Sequence, residues 1–482
     1  MRAFVGLVMA VAVTLASGLK AEARGVPESF ADLAEQVSPA VVNITTSTLV
    51  AQRTGNQPMV PEGSPFEDFF RDFLDRNQPG GPNGNGEPQR QRRSQALGSG
   101  FVISEDGFIV TNNHVIEGAD EIMIEFFGGG DQLAAKVIGT DPNTDIALLK
   151  VESDGPLPFV SFGDSDIMRV GDWVMAVGNP LGQGFSVSAG IVSQRNRELS
   201  GAYDDYIQTD AAINRGNSGG PLFNMNAEVI GVNTAILSPN GGSIGIGFAM
   251  SSAVVKRVVD QLKEFGETRR GWLGVRIQDI TDDIAEAMAL DGTNGALITD
   301  VPEGPAKEAG ILPNDIILSF DGVDVTDTRE LVRIVGNAPV GKAVRVVVLR
   351  GGKTETLKIT LGRREDAVAG STPGSENETP EAPAEDKILG MTLGELDDTR
   401  REELGLKPGA TGLVVLDIDE DTEAFEKGMR AGDVVAEAGQ QPVGSIEDLK
   451  AQLEAAKDGG RKSVLLLVRR DDNPRFVALS LD

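Results

Sequence analysis

The segment Gly216-Asn217-Ser218-Gly219-Gly220-Pro221 sets a serine between glycines. A turn of that composition can present the hydroxyl while backbone N–H groups converge on a nearby point. Acyl transfer needs such a point, because negative charge develops on the carbonyl oxygen. A plain glycine-rich turn has the same composition, so the serine needs partners before it implies chemistry. The chain holds one histidine, His114, and no cysteine. Imidazole acid–base chemistry near neutral pH therefore rests on His114 alone. Disulfides, thiolate zinc sites, a cysteine nucleophile and His-rich metal centres are excluded. His114 lies in Thr111-Asn112-Asn113-His114-Val115-Ile116, just past the strand-like Phe108–Val110. Asp145 directly precedes the apolar run Ile146-Ala147-Leu148-Leu149. A carboxylate there can accept the imidazole Nδ1 proton and fix its tautomer. Asp141 is the alternative, but it sits before Pro142 and reads as a turn residue.

The elements that must position these groups are short. From Ala96 to Met250, apolar runs such as Gly100–Ile103, Phe108–Val110, Ile122–Ile124, Trp173–Val177 and Val229–Val232 alternate with Gly, Asp and Asn turns. That pattern predicts an all-β barrel or sandwich. A helix follows, capped by Ser251 or Ser252, with Val254, Val255, Val258, Val259 and Leu262 on one face and Gly266 as its stop. Beyond it the chain repeats. Ala309-Gly310-Ile311-Leu312-Pro313-Asn314-Asp315-Ile316-Ile317 recurs 118 residues on as Lys427-Gly428-Met429-Arg430-Ala431-Gly432-Asp433-Val434-Val435. Each copy carries a helix start signal, Asp327 with Glu330 and Ser445 with Asp448, and a β-rich end. Two matching modules follow the first domain. Between them, residues 365–386 are acidic and proline-containing, with no base and almost no large aliphatic side chain, and predict a flexible linker that lets the second module move relative to the first.

The order His, Asp, Ser along the chain is that of the chymotrypsin arrangement. Ala96–Met250 resembles the trypsin-like domain of the HtrA/Deg (Do-like) serine endoproteases. The likeness rests on Gly98-Ser99-Gly100-Phe101, Thr111-Asn112-Asn113-His114-Val115, Asp145–Leu149, Val177-Gly178-Asn179-Pro180, Gln208–Asn214, Gly216–Pro221 and Gly245–Ala249. The two repeats resemble the paired PDZ domains of the periplasmic members with two such modules, so the likeness covers almost the whole chain. It implies a mostly β protein, a trypsin-like double β-barrel followed by two α+β PDZ domains. The corresponding boundaries are 24–265 for the protease domain, 266–364 and 387–482 for the PDZ domains. It implies Ser218 as nucleophile, His114 as general base then acid, Asp145 as its orienting group, and the N–H groups of Gly216 and Ser218 as the oxyanion hole. Ile213 and Ile236 match positions lining the primary specificity pocket, which implies cleavage after small aliphatic residues; an ordinary core position is the other reading of both. Arg195 matches the arginine that relays activation in the family, and a solvated surface charge is the other reading.

A PDZ domain adds a peptide strand to its sheet edge and captures a C-terminal carboxylate with a loop of backbone N–H groups. Arg270-Gly271-Trp272-Leu273-Gly274 matches that loop in the first module; Leu389-Gly390-Met391-Thr392-Leu393 is a looser match in the second, which on that ground serves peptide binding or assembly. The segment 58–93 predicts a long loop, with Phe66, Phe69, Phe70 and Phe73 forming either a short helix packed on the same domain or a contact with another subunit.

Arg2, the uncharged stretch Ala3–Leu19 and Ala21-Glu22-Ala23 predict a signal peptide over residues 1–23 and export to the periplasm. A net charge of −29 argues against a general phosphate-backbone binder. No cofactor is expected. Metal and nucleotide motifs are lacking, and the acidic run Asp417–Glu423 lacks EF-hand spacing. The expected function is an ATP-independent serine endopeptidase that degrades misfolded exported proteins, with PDZ-regulated binding of unfolded chains and their C-terminal tails, chaperone activity, and a homotrimer or stack of trimers. The alternative is a chaperone or peptide-binding scaffold with a largely silent cleft.

Overall fold

A computed structural model describes residues 27–50, 92–179, 185–199, 201–214, 216–237, 242–364 and 385–481, the last with short gaps between 398 and 410 and at 471–472. The expected leader, the phenylalanines at 66, 69, 70 and 73, and most of segment 365–386 lie outside these residues. The chain forms two compact units, Met1–Thr268 and Arg269–Asp482.

In the first unit, β1 (Val41–Val50), β2 (Arg92–Val102), β3 (Phe108–Asn112), β4 (Glu121–Phe126), β5 (Leu133–Asp141) and β6 (Ile146–Val151) close into a barrel in the order β1-β2-β3-β6-β5-β4. A second closed barrel contains β7 (Trp173–Gly178), β8 (Ser186–Arg197), β9 (Tyr206–Thr209), β10 (Pro221–Phe223), β11 (Val229–Ile236) and β12 (Gly247–Ser251), ordered β10-β11-β12-β9-β8-β7. β2 begins at Arg92 and pairs it with Val50, so the predicted loop ends two residues earlier than the composition suggested.

The near-continuous apolar runs follow from burial on both faces, since successive strand side chains alternate sides. Ala147, Leu149 and Val151 of β6 fill the first barrel with Val42, Ile44, Val102 and Ile109. Ile146 and Leu148 point the other way, into a core shared with Met175, Phe223, Val229 and Met250 of the second barrel. The helix α3 (Ser252–Phe265) completes that shared core with Val254, Val255, Val258, Val259 and Leu262. It stops at Gly266, φ 75°, as the glycine predicted. Its start differs in detail. Ser251 occupies the N-cap, but its hydroxyl donates to Asp205 at 2.6 Å, and Ser165 Oγ accepts the Ala253 N–H instead. Of the other described α-helices in this unit, α1 (Ala31–Val37) precedes β1 and the single turn α2 (Asn113–Ile116) follows β3.

The second unit contains the repeat. The first module has β13 (Gly271–Trp272), β14 (Arg276–Asp279), β15 (Ala296–Asp300), β16 (Ile316–Phe320), β17 (Val323–Asp324), β18 (Ala343–Arg350), β19 (Lys353–Thr360) and β20 (Gly362–Arg363), with α4 (Asp282–Ala287), α5 (Pro305–Glu308) and α6 (Thr328–Asn337). The second has β21 (Glu385–Ile388), β22 (Met391–Glu395), β23 (Leu413–Ile418), β24 (Val434–Ala438), β25 (Gln441–Pro442), β26 (Ser463–Arg470) and β27 (Asn473–Ser480), with α7 (Glu423–Glu426) and α8 (Ile446–Asp458). The predicted caps form: Asp327 accepts the Glu330 N–H, and Ser445 with Asp448 makes a reciprocal capping box. Both modules repeat one ion pair built on a buried aspartate. Arg350 grips Asp315 with two bonds of 2.7 and 2.6 Å, and Arg470 grips Asp433 at 2.6 and 2.8 Å.

The expectation that the modules move independently is not what the structure shows. They pack together. Ile280, Ile284, Leu297 and Ile316 of the first form one buried cluster with Leu465, Leu467, Phe476 and Ala478 of the second. The Gln278 side chain donates to Phe476 O at 2.9 Å and accepts Phe476 N–H at 2.7 Å, and Lys427 reaches Asp283 at 2.6 Å. The composition of residues 365–386 says nothing of the faces on either side of it; the apolar outer faces of β26 and β27 decide how the modules sit.

Candidate active site

Asp145 and His114 meet at the end of the paired strands β3 and β6. Asp141, fully buried, builds the turn that delivers Asp145. Its carboxylate accepts the Thr144 hydroxyl at 2.5 Å and the Asn143 N–H at 3.3 Å. The sequence reading of Asp141 as a turn residue therefore holds. The chain then passes through Asp145 with φ 57°, a left-handed conformation that aspartate tolerates better than most residues. Its carbonyl accepts the Asn113 N–H at 3.0 Å and the Asn112 side-chain amide at 2.8 Å. Its carboxylate takes the His114 backbone N–H at 2.9 Å and lies 2.5 Å from His114 Nδ1. Val115 and Ile116 bury in the first barrel and fix the turn that carries the imidazole. With Nδ1 committed to a carboxylate, Nε2 is the nitrogen left for proton transfer. Burial pushes the imidazole pKa down. The charge of Asp145 and its hydrogen bond outweigh burial, so His114 ends above the usual imidazole value of ~6.5.

Ser218 comes from the loop between β9 and β10, in the second barrel. Backbone bonds hold that loop: Asn217 N–H to Asn214 O, Gly220 N–H to Asn217 O, and Gly219 N–H to Asn233 O at 2.8 Å. Gly216, at φ 96°, needs to be glycine. Ser99 of β2 ties the loop to the first barrel. Its N–H donates to Ser218 O, its hydroxyl to Gly216 O at 2.6 Å, and its carbonyl accepts the Thr111 hydroxyl at 2.7 Å. Gly219 is wedged in this contact. A Cβ there would lie 2.2 Å from Ser99 O, 2.3 Å from Thr111 Oγ1 and 3.0 Å from Asn112 N. The serine loop thus abuts the strand that leads into the His114 turn. A hydroxyl, an imidazole oriented by a carboxylate, and a glycine turn can together carry out nucleophilic acyl transfer.

The residues 98–232 match a trypsin-like peptidase domain model, and 271–361 and 388–481 match PDZ domain models. A probable periplasmic serine endoprotease, DegP-like, of Bartonella henselae is 42% identical over 469 residues, covering 94% of this chain and 90% of that one. The corresponding DegP-like protein of Rhizobium meliloti is 39% identical over 501 residues, 99% and 96% covered. The chain belongs to the DegP-like, HtrA-type serine endoproteases. Among solved structures, the HtrA-type protease AlgW with a decapeptide is 37% identical, with a TM-score of 0.58, and covers 70% of this chain and 99% of its own. A DegP-like chain is a serine endopeptidase, and its matched span begins at Gly98 and contains His114, Asp145 and Ser218.

Other predicted positions of this DegP-like chain fall as follows. Ile213 is buried in the second barrel and Ile236 packs half-buried against the same cluster. Arg195, on β8, lies 3.8 Å from the exposed Asp166. In the first PDZ module, Gly271 lies so close to the end of α6 that a Cβ would sit 2.4 Å from Val335 O. The Trp272 ring covers Gly274, Gly304 and Gly362, Leu273 is buried, and Gly274 has φ 81°. Arg270 is buried at the loop entrance, where its carbonyl accepts the Arg364 N–H. Asp419 and Glu423 of the acidic run are engaged by Lys387 and Lys427. Among the described residues no group of three or more His, Asp or Glu is placed to hold a metal ion. Sequence reasoning gave no role to Ser99, Thr111 or Asn112. The glycines flanking Ser99 were the available signal, because they mark where β2 packs too closely for a side chain, Gly98 on Val115 and Gly100 on Ile44 and Val110.

Proposed function

We propose that this endopeptidase works through Ser218, His114 and Asp145 and degrades unfolded exported proteins in the periplasm without ATP. The carrying observation is the 2.5 Å contact of Asp145 with His114 Nδ1, just past a strand wedged against the Ser218 loop. Ser218 Oγ attacks the scissile carbonyl and passes its proton to His114 Nε2. Asp145 stabilises the imidazolium, and the N–H groups of Gly216 and Ser218 receive the oxyanion. His114 then protonates the leaving amine, and water hydrolyses the acyl-enzyme by the same steps in reverse. Ile213 and Ile236 give the specificity pocket aliphatic walls, which favours cleavage after Val, Ile or Ala. The PDZ modules gather extended chains and C-terminal tails, Arg195 relays their occupancy to the site, and the same surfaces give chaperone activity within a homotrimer or a stack of trimers. The periplasmic names of the relatives support the location, and among the described residues no helix is long and apolar enough to cross a membrane.

Incubation with unfolded casein tests the reading. Ser218→Ala should lower the cleavage rate by about 10⁶-fold while still suppressing casein aggregation. Unchanged cleavage would refute the nucleophile. Cleavage absent from the unmodified protein, with aggregation still suppressed, would favour the scaffold alternative.

A further inference from the structure

The two PDZ modules differ at the sheet edge where a peptide strand would add. In the first, β14 ends its sheet, ordered β14-β15-β16-β18-β19. β15 covers one edge of β14, and among the described residues no strand covers the other. α6 flanks that edge, fastened by Thr328 N–H and Oγ1 to Asp279 Oδ1 at 2.9 and 2.7 Å. Apolar side chains stand half-buried on both elements, Val275 and Ile277 beside β14 and Val332 and Ile334 on α6. In the second module β22 takes the place of β14. It pairs β23 with the same kind of register shift that β14 shows against β15. Its other edge, however, is already paired. β21 lies antiparallel on it, in the register Asp386↔Leu393, Lys387↔Thr392 and Ile388↔Met391.

β21 has the features of a bound peptide. It runs antiparallel to β22 and ends at the start of that strand, where the carboxylate-binding loop of a PDZ domain lies. Its last residue, Ile388, is buried in one cluster with Met391 and Leu393 of β22 and Leu449 and Leu453 of α8. In place of a free carboxylate the chain turns back through Leu389 and Gly390, both at positive φ (52° and 78°), as in a two-residue hairpin. The helix is matched in charge. Lys450 of α8, at the position Val332 holds in α6, reaches Asp386 of β21 at 2.5 Å. Lys387 binds Asp419 at 2.6 Å on the opposite side.

We infer that β21 is a built-in occupant of the second module's peptide groove, so that an extended chain with an aliphatic C-terminus gains this edge only by displacing it. The inference rests on the reading of the modules as peptide-binding. The first module is open for capture. The second is held in reserve.

The test uses the full chain carrying Ser218→Ala, and a labelled synthetic peptide with the sequence of residues 381–388 ending in a free isoleucine carboxylate. In an antiparallel ladder, alternate residues point their N–H at the partner strand. One of Asp386 and Lys387 must therefore donate to β22, and the double variant Asp386→Pro, Lys387→Pro removes that bond whichever it is. The expected result is one additional peptide bound per chain relative to the unmodified protein, lost with a carboxamide-terminated peptide. An unchanged stoichiometry, with β21 shown by hydrogen exchange to be detached, overturns the proposal. The starting stoichiometry reports separately on the first module, so its failure is distinguishable from this one. If the proline variant does not fold, Lys450→Gln leaves the backbone intact. It should speed exchange of β22 amides about two- to fivefold, and unchanged exchange overturns the role given to α8.

Discussion

The two barrels contribute to the site in different ways. The first supplies side chains. His114 and Asp145 sit beside strand ends; Asp145 is fixed by hydrogen bonds from Asn112 and Asn113 and by the turn that Asp141 and Thr144 build, and it holds His114 in turn. The second supplies backbone. The Ser218 loop is held by N–H and C=O bonds, and its glycines let it press against β2 and β3. The difference sets how each half fails. Side-chain chemistry is lost by changing one polar atom. Backbone placement is lost by adding one carbon.

The largest effect expected from breaking the first half is in Asp145→Asn. The amide preserves the shape but stabilises the wrong imidazole tautomer, so kcat should fall about 10⁴-fold on a chromogenic peptide ending in valine, with KM little changed. A proportional rise in KM instead would mean that Asp145 acts in binding. Gly219→Ala probes the second half. A Cβ would overlap Ser99 O and Thr111 Oγ1 at a position with φ 83°, so the loop must shift. A displacement on the order of 1 Å costs about 10²-fold in kcat, while circular dichroism of the protein stays native. Full activity would show that the two barrels tolerate slack at their contact. The smallest effect is a shift of the acid limb. A base whose pKa is raised must lose its proton before it works, so kcat/KM should fall on acidification through a value above ~6.5. In Asp145→Asn burial is opposed only by the charge of Glu117, the smallest of the influences on His114, and the limb should move to lower pH. The sign for stability runs the same way. A raised imidazole pKa favours the folded state below the unfolded value, and that contribution is lost as pH rises through the folded value. Because His114 is the one imidazole in the chain, its NMR titration needs no assignment. A titration below ~6.5 would contradict the dominance of Asp145.

Much of this was legible in the residues. The order His114, Asp145, Ser218 with their flanking turns, the stop at Gly266 and the caps at Asp327 and Ser445 are local signals, and local physics is enough to read them. What escaped depends on contacts distant in sequence. Ser99 matters because it meets Gly216 and Ser218 across the cleft, which no spacing reveals. Glu385 and Asp386 close an acidic segment and read as linker, yet they begin a strand, because β22 offers it an edge and Lys450 a charge. The run Val464–Val468 predicts a buried strand without saying that its two faces serve two different partners.

That last arrangement decides where the chain can be cut. Leu465, Leu467, Phe476 and Ala478 are side chains of the second module, but water is kept from them by the first. A fragment ending after residue 364 would expose the matching patch around Ile284, Leu297 and Ile316, and a fragment beginning at 385 would expose its complement. Each would tend to stick to its neighbours in solution. The repeat looks divisible in sequence, yet the smallest piece that keeps these surfaces dry is the pair, and genetic exchange or protease trimming that respects solubility must move both modules at once.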